Sequence, residues 1–321
     1  MVSVMGKRGL FLVWLCLVSI LPGMAQTEKL IDYVNPFVGT DGYGNVYPGA
    51  QIPFGGIQMS PDTDSKYYDA ASGYKYNHST LLGFSLTHLS GTGIPDLGDF
   101  LFIPGTGEMK LDPGTREEPE KGYRSRYSHE KEWASPNYYA VELSDYGVKA
   151  EMTSGVRSGM FRFTYPQSDK AFIMIDMNHT LWQSCEWANL RMENDSTITG
   201  YKLVKGWGPE RHIYFTATFS KKLTGLRFMQ NKKPVIYNTS RFRSSYEAWG
   251  KNLMACISFD TKAGEEVIVK TAISSVSTNG AKNNMAELAG LAFDELKAKG
   301  EALWEKELGK YTLTADRKTK R

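Results

Sequence analysis

Apolar and polar positions alternate over most of this chain, with the period of a half-buried strand. Residues 138–143 and 148–153 alternate on either side of Asp145-Tyr146-Gly147 and predict a hairpin. Residues 160–165 alternate and stop at Pro166, and 171–176 form an apolar run of strand length. Residues 197–203, 213–219, 253–259 and 266–274 continue the series. Nearer the start, Leu81-Leu82-Gly83-Phe84 and Phe100-Leu101-Phe102-Ile103 predict two strands joined by a polar loop. Many short strands separated by turn residues predict a mainly β fold, a large antiparallel β-sandwich. The pattern changes over 283–308, where Leu288, Leu291, Ala292 and Leu296 recur at helical spacing among Ala, Glu and Lys. Gly290 and Gly300 weaken or divide that helix, and a strand-like piece, 311–314, leads to a basic end, 316–321.

Length and composition add the scale. The 321 residues fit one large or two ordinary domains, and 41% hydrophobic content is enough for a sizeable core. A net charge of +3, with Lys and Arg spread along the chain, argues against nucleic-acid binding. Lys7 and Arg8 precede a short apolar run, 9–21, and Gly23-Met24-Ala25 supplies small residues for cleavage after Ala25. Residues 1–25 therefore read as a secretory signal peptide. The run is too short to span a bilayer comfortably, so no membrane contact is expected after cleavage. Of three cysteines, Cys185 and Cys256 remain. An oxidising compartment permits a disulfide between them, and their apolar surroundings equally suit two buried thiols. No spacing suggests a zinc site.

Candidate chemistry gathers between the strands at 81–84 and 100–103. Two glycines flank a threonine in His88-Leu89-Ser90-Gly91-Thr92-Gly93, and Ile94-Pro95-Asp96 closes the loop. His88, Ser90, Thr92 and Asp96 offer hydrogen-bonding groups, while Gly91 and Gly93 allow a ligand to approach the backbone. A glycine-rich turn with no ligand has the same spacing. Trp207, in Gly206-Trp207-Gly208-Pro209, is placed either to stack on a sugar ring or to plug a hairpin. Trp182 and Trp187 read as core or domain-interface residues, and His179 and His212 as structural histidines. Asp62-Thr63-Asp64 reads as an Asx-turn in preference to a metal site. Asn77, Asn178, Asn194 and Asn238 each begin a glycosylation sequon.

Several of these stretches, in order, resemble glycoside hydrolase family 92, the α-mannosidases. The HLSGTG loop is followed by Gly98-Asp99-Phe100-Leu101. Upstream lie Val34-Asn35-Pro36-Phe37-Val38-Gly39-Thr40, Tyr47-Pro48-Gly49-Ala50, Pro53-Phe54-Gly55 and Gln58-Met59-Ser60-Pro61-Asp62. Downstream come 142–148 and 272–277, so the resemblance covers roughly 30–310. It implies a galactose-mutarotase-like super-sandwich over 26–280, then a helical linker, 281–321, toward a toroid of paired helices. It also implies a calcium-dependent, inverting exo-α-mannosidase of bacterial, secreted or periplasmic type, acting on mannose-containing glycans.

In such enzymes the general acid, the general base and most calcium ligands lie in the toroid. The resemblance therefore assigns no catalytic or metal-ligating residue to this chain. Asp96, Asp99, Asp176, Glu186 and Glu210 are carboxylates without that support. What it leaves is a share of the substrate pocket, for which the candidates are His88, Ser90, Gly91, Thr92, Gly93, Asp96 and Trp207. Ile94-Pro95 departs from the Cys-Ser of many relatives, at a place that bears on linkage specificity. The alternative reading is a non-catalytic carbohydrate-binding module.

Overall fold

The structure, a computed structural model, describes residues 29–66, 68–236 and 247–312. The signal peptide, the sequon at Asn238 and the basic end lie outside them, as does half of the strand-like piece at 311–314. Two antiparallel sheets face each other. The seven-stranded sheet runs, in spatial order, Ser60–Asp62, Gly83–Ser85, Leu101–Thr106, Ser168–Asp176, Leu253–Thr261, Gly225–Gln230 and Lys233–Pro234. The nine-stranded sheet runs Glu247–Gly250, Ser184–Asn194, Thr197–Lys205, Arg211–Phe219, Glu265–Ser274, Ser158–Tyr165, Val148–Ser154, Tyr138–Leu143 and Glu132–Ser135. The fold is thus the mainly β sandwich that the alternation predicts.

The core lies between the sheets. Phe84 and Phe102 from one meet Phe161, Phe163 and Phe215 from the other, all fully buried. Phe102 and Phe161 sit with ring centroids 5.0 Å apart. The hairpin at Asp145-Tyr146-Gly147 forms as expected, with Leu143 opposite Val148 and Gly147 at a φ of 64°. The core strand Leu101–Thr106 continues through Pro104. Pro104 pairs with Ile173 on one side only, because on the other the ladder consists of the single pair Phe84–Phe102. A missing N–H costs little where no partner strand remains.

The helical segment begins earlier than the periodicity predicts. Thr278–Asn284 is an α-helix capped by the Ser277 side chain, which accepts a hydrogen bond from Gly280 N. A 3-10 turn, Met285–Leu288, follows, and Gly290 in the left-handed region divides it from the helix Phe293–Leu308. Gly300 does not break that helix. A Cβ there would lie 1.7 Å from Asn137 Nδ2, so Gly300 permits close contact with the sheet. Phe293, Leu296 and Leu288 pack on Met160, while Trp304 Nε1 donates to Gln51 O at 2.6 Å. Cys185 and Cys256 are both free thiols, in different sheets. Among the described residues no helix is long and apolar enough to cross a membrane.

Candidate functional site

Loops from both sheets converge where Leu101–Thr106 begins and Thr197–Lys205 ends. Two buried carboxylates hold them. Asp62 closes the strand Ser60–Asp62, and its side chain is wholly enclosed. Its Oδ1 lies 2.8 Å from His88 Nε2 and its Oδ2 2.7 Å from His179 Nε2. The other nitrogen of His88 donates to Gln58 O at 2.8 Å. Burial alone would raise the Asp62 pKa, but the two imidazoles and their hydrogen bonds hold it well below the usual carboxylate range.

Asp99 stands just ahead of Leu101–Thr106. Arg211 grips it through both guanidinium nitrogens, at 2.6 and 3.1 Å, and Thr87 Oγ1 donates at 2.7 Å. Lys202, fully buried on the facing sheet, lies 3.1 Å away. Here too burial opposes ionisation, and the Lys202 and Arg211 charges outweigh it, so the pKa is strongly lowered. Lys202 Nζ also donates to His179 O at 2.6 Å. Asp62, His179, Lys202, Asp99 and Arg211 therefore form one connected polar network between the sheets. Residues 97, 100 and 182 beside it have φ of 73°, 59° and 68° without being glycine, a conformation that persists only where surroundings enforce it.

This network supports an exposed rim. Ser90, Gly91, Gly93 and Ile94 are exposed, and Gly91 N donates to Asn45 O at 2.7 Å. Thr92 Oγ1 closes its own turn on Ile94 N and O, both at 3.2 Å. Trp182 and Trp207 are 58% and 60% exposed. Tyr68, 51% exposed, meets Trp182 edge-on at 5.8 Å, and its hydroxyl lies against Gly93. An open groove of about 550 Å³ runs between Ile94, Pro95, Trp182, Gln183, Lys205 and Trp207. Gln183 Nε2 donates to Pro95 O at 2.6 Å, and its buried Oε1 has no hydrogen-bond partner among the described residues.

The expected site residues thus divide. Ser90, Gly91, Thr92, Gly93 and Trp207 belong to the rim. His88 and Asp96 belong to its footing. The His88 side chain has no solvent exposure in this chain, because it is spent on Asp62, Gln58 and Ser85. Asp96 turns inward to accept from Leu97 N at 2.6 Å and Trp207 N at 3.4 Å, which ties the two loops together. Tyr68 and Trp182 were not legible as rim residues. Trp182 reads as a core or domain-interface residue, and its left-handed backbone turns the indole outward, away from the core. Asp64 forms the expected Asx-turn, accepting from Ser65 N and Lys66 N at 2.7 and 3.0 Å. Among the described residues no three His, Cys, Asp or Glu side chains are grouped to hold an ion.

Residues 33–274 match the profile of the glycosyl hydrolase family 92 N-terminal domain. The chain belongs to glycosyl hydrolase family 92. It superposes with a TM-score of 0.89 on a family GH92 α-mannosidase from Bacteroides thetaiotaomicron solved with mannoimidazole, at 90% identity over 91% of this chain. It covers 39% of that relative's length. A further family 92 glycosyl hydrolase, ccman5, matches at 25% identity over 89% of this chain and 38% of its own, with a TM-score of 0.76. An uncharacterized secreted glycosidase of Arthroderma benhamiae is 30% identical over 147 residues, 45% of this chain and 19% of its own. The family match therefore falls on the sandwich, and the relatives carry more chain than is present here.

Proposed function

We propose that this chain is the N-terminal, pocket-forming part of an exo-α-mannosidase that acts on mannose-containing glycans. The observation that carries it is the 90% identity to an α-mannosidase solved with mannoimidazole, a sugar-shaped ligand. Tyr68, Trp182 and Trp207 supply the aromatic faces on which sugar rings stack, and Ser90 and the 91–93 backbone supply hydrogen bonds beside them. Hydrolysis needs an acid at the leaving oxygen and, for inversion, a base roughly 6.5–9.5 Å away with room for water. The groove lining contributes no carboxylate. Asp62 and Asp99 are committed to His, Lys and Arg partners. The proton transfers are therefore assigned to the part of the longer protein that follows this domain. The calcium that such enzymes use has no fitting ligand set among the described residues, and no step is assigned to it in this chain. The protein works in the periplasm or outside the cell.

The test compares this chain with the longer protein, each with calcium, on α-1,2- and α-1,3-mannobiose. The longer protein hydrolyses them and this chain does not. Trp207→Ala in the longer protein raises KM with a smaller change in kcat. Turnover by this chain alone would overturn the assignment. Saturable binding without turnover in either protein would favour the carbohydrate-binding module.

A further inference from the structure

The outer face of the nine-stranded sheet carries aromatic residues that the rim does not use. The helices Thr278–Asn284 and Phe293–Leu308 cover this face over the strands from Arg211–Phe219 to Val148–Ser154. They reach only part of Thr197–Lys205 and, apart from Lys282 at Glu193, leave Ser184–Asn194 and Glu247–Gly250 uncovered. On Ser184–Asn194 the residues Ala188 and Leu190 point into the core, so Trp187, Asn189 and Arg191 point outward. Trp249 pairs with Asn189, Asn189 with Tyr201, and Tyr201 with Tyr214. Trp187 pairs with Leu203, and Leu203 with His212. Two rows of side chains result, running across the strands. Trp187 and Trp249 are 46% and 54% exposed and occupy diagonal positions, with backbones about 7–8 Å apart. Tyr201 is held in place by Tyr214 at 4.8 Å and by His212 Nδ1, 2.9 Å from its hydroxyl.

Beside Trp249 the face opens into a polar groove of about 370 Å³ lined by Asn189, Arg191, Glu193, Thr199, Asn279 and Lys282. Its two cations, Arg191 and Lys282, are matched in number by two carboxylates, Glu193 and Glu247. Glu193 lies 3.0 Å from Lys282 and 3.8 Å from Arg191, and on the other side of the tryptophans Glu186 lies 3.0 Å from Lys251. A face built for an acidic polymer would leave cations in excess. Flat rings beside amides suit sugar rings, whose faces are apolar and whose edges carry hydroxyls.

We propose that this face is a second glycan-binding surface, separate from the groove at the rim, that takes a neutral, polyhydroxylated chain laid across Trp187 and Trp249. Sugar rings stack on the two indoles and Tyr201, and hydroxyls meet Asn189 and the groove beyond. The face is continuous with the rim through Ser184 and Lys205, so a long glycan can reach from one to the other. This surface is built from side chains that the rim does not share.

The experiment is affinity electrophoresis of the 321-residue chain in gels containing yeast α-mannan, with dextran gels as a second neutral polysaccharide. The chain is retarded in at least one of them. The double variant Trp187→Ala/Trp249→Ala loses that retardation, with affinity falling tenfold or more. Trp187→Phe/Trp249→Phe, which keeps flat rings, retains part of it and controls for folding, as does an unchanged melting temperature. Trp207→Ala keeps most of it. Absence of retardation in both gels overturns the proposal. So does retardation that survives the double alanine variant, or that is lost only with Trp207→Ala, which would place binding at the rim.

Discussion

At the residue scale, the rim depends on carboxylates that never reach solvent. Asp62 and Asp99 are ionised inside the protein because cations and hydrogen-bond donors offset the loss of water. Both have depressed pKa values, so their contribution to stability is complete above the ordinary carboxylate pKa and is lost as pH falls from there. Melting temperature is therefore expected to hold near neutrality and to drop below about pH 4, measured by thermal denaturation across a pH series. A steady melting temperature through that range would show that the network does not hold the loops. Asp99→Asn is the sharper perturbation. It leaves Lys202 enclosed, with its ammonium facing an amide and His179 O, and removing one partner of a buried pair costs about 3–5 kcal/mol. Chemical denaturation of the variant checks the size of the loss, and a change within about 0.5 kcal/mol would contradict it.

At the element scale, the helix Phe293–Leu308 meets the sheet at Gly300. Replacing a glycine inside a helix by alanine ordinarily stabilises it by up to about 1 kcal/mol. Here the sign reverses. The new methyl group would meet Asn137, whose amide is locked on Thr153, Ser154 O and the Ser154 hydroxyl at 3.1, 3.0 and 2.7 Å. Asn137 also has a φ of 65°, so its backbone has little room to retreat. Gly300→Ala is expected to destabilise by about 1–3 kcal/mol, the usual cost of overpacking. An unfolding curve that moves to higher denaturant would refute this. The N-terminal segment is clipped to the same helix, since Glu305 accepts from Leu30 N and Ile31 N at 2.9 and 3.1 Å.

At the scale of the whole molecule, the most exposed apolar side chains lie in loops. The helical stripe predicts a sticky helix face, but Phe293 and Leu296 are buried against the sheet and only Leu303, 45% exposed, stands out from that helix among its large apolar residues. Val38, Tyr43 and Phe54 are 74%, 94% and 89% exposed, and Phe54 lies near Val156, whose carbonyl accepts from Gly56 N at 2.6 Å. Apolar loop residues left this bare fit a surface that another part of a longer protein covers. The chain by itself is expected to self-associate with rising concentration in sedimentation velocity, and Phe54→Ser with Val156→Ser to reduce that association. Identical, concentration-independent monomers for both proteins would rule it out.

Alternation in 138–153, 160–176 and 197–219 is enough to specify a sandwich, because a strand with one wet face must place its apolar residues every second position. Motif order from Val34 to Ser277 was enough to point to the family. Strands such as Ser184–Asn194, in which only Ala188 and Leu190 are buried, leave too weak an alternation to read. The division of the candidate loop was not readable either. His88 and Ser90 are neighbours in a polar segment, and what sends one inward and the other outward is an aspartate 26 residues earlier in the chain. The aromatic rim is likewise a product of folding. Tyr68, Trp182 and Trp207 come from three separate segments, and only the fold brings Trp182 and Trp207 to one groove with Tyr68 against Trp182, since a sequence records which side chains are apolar and folding decides which of them remain uncovered.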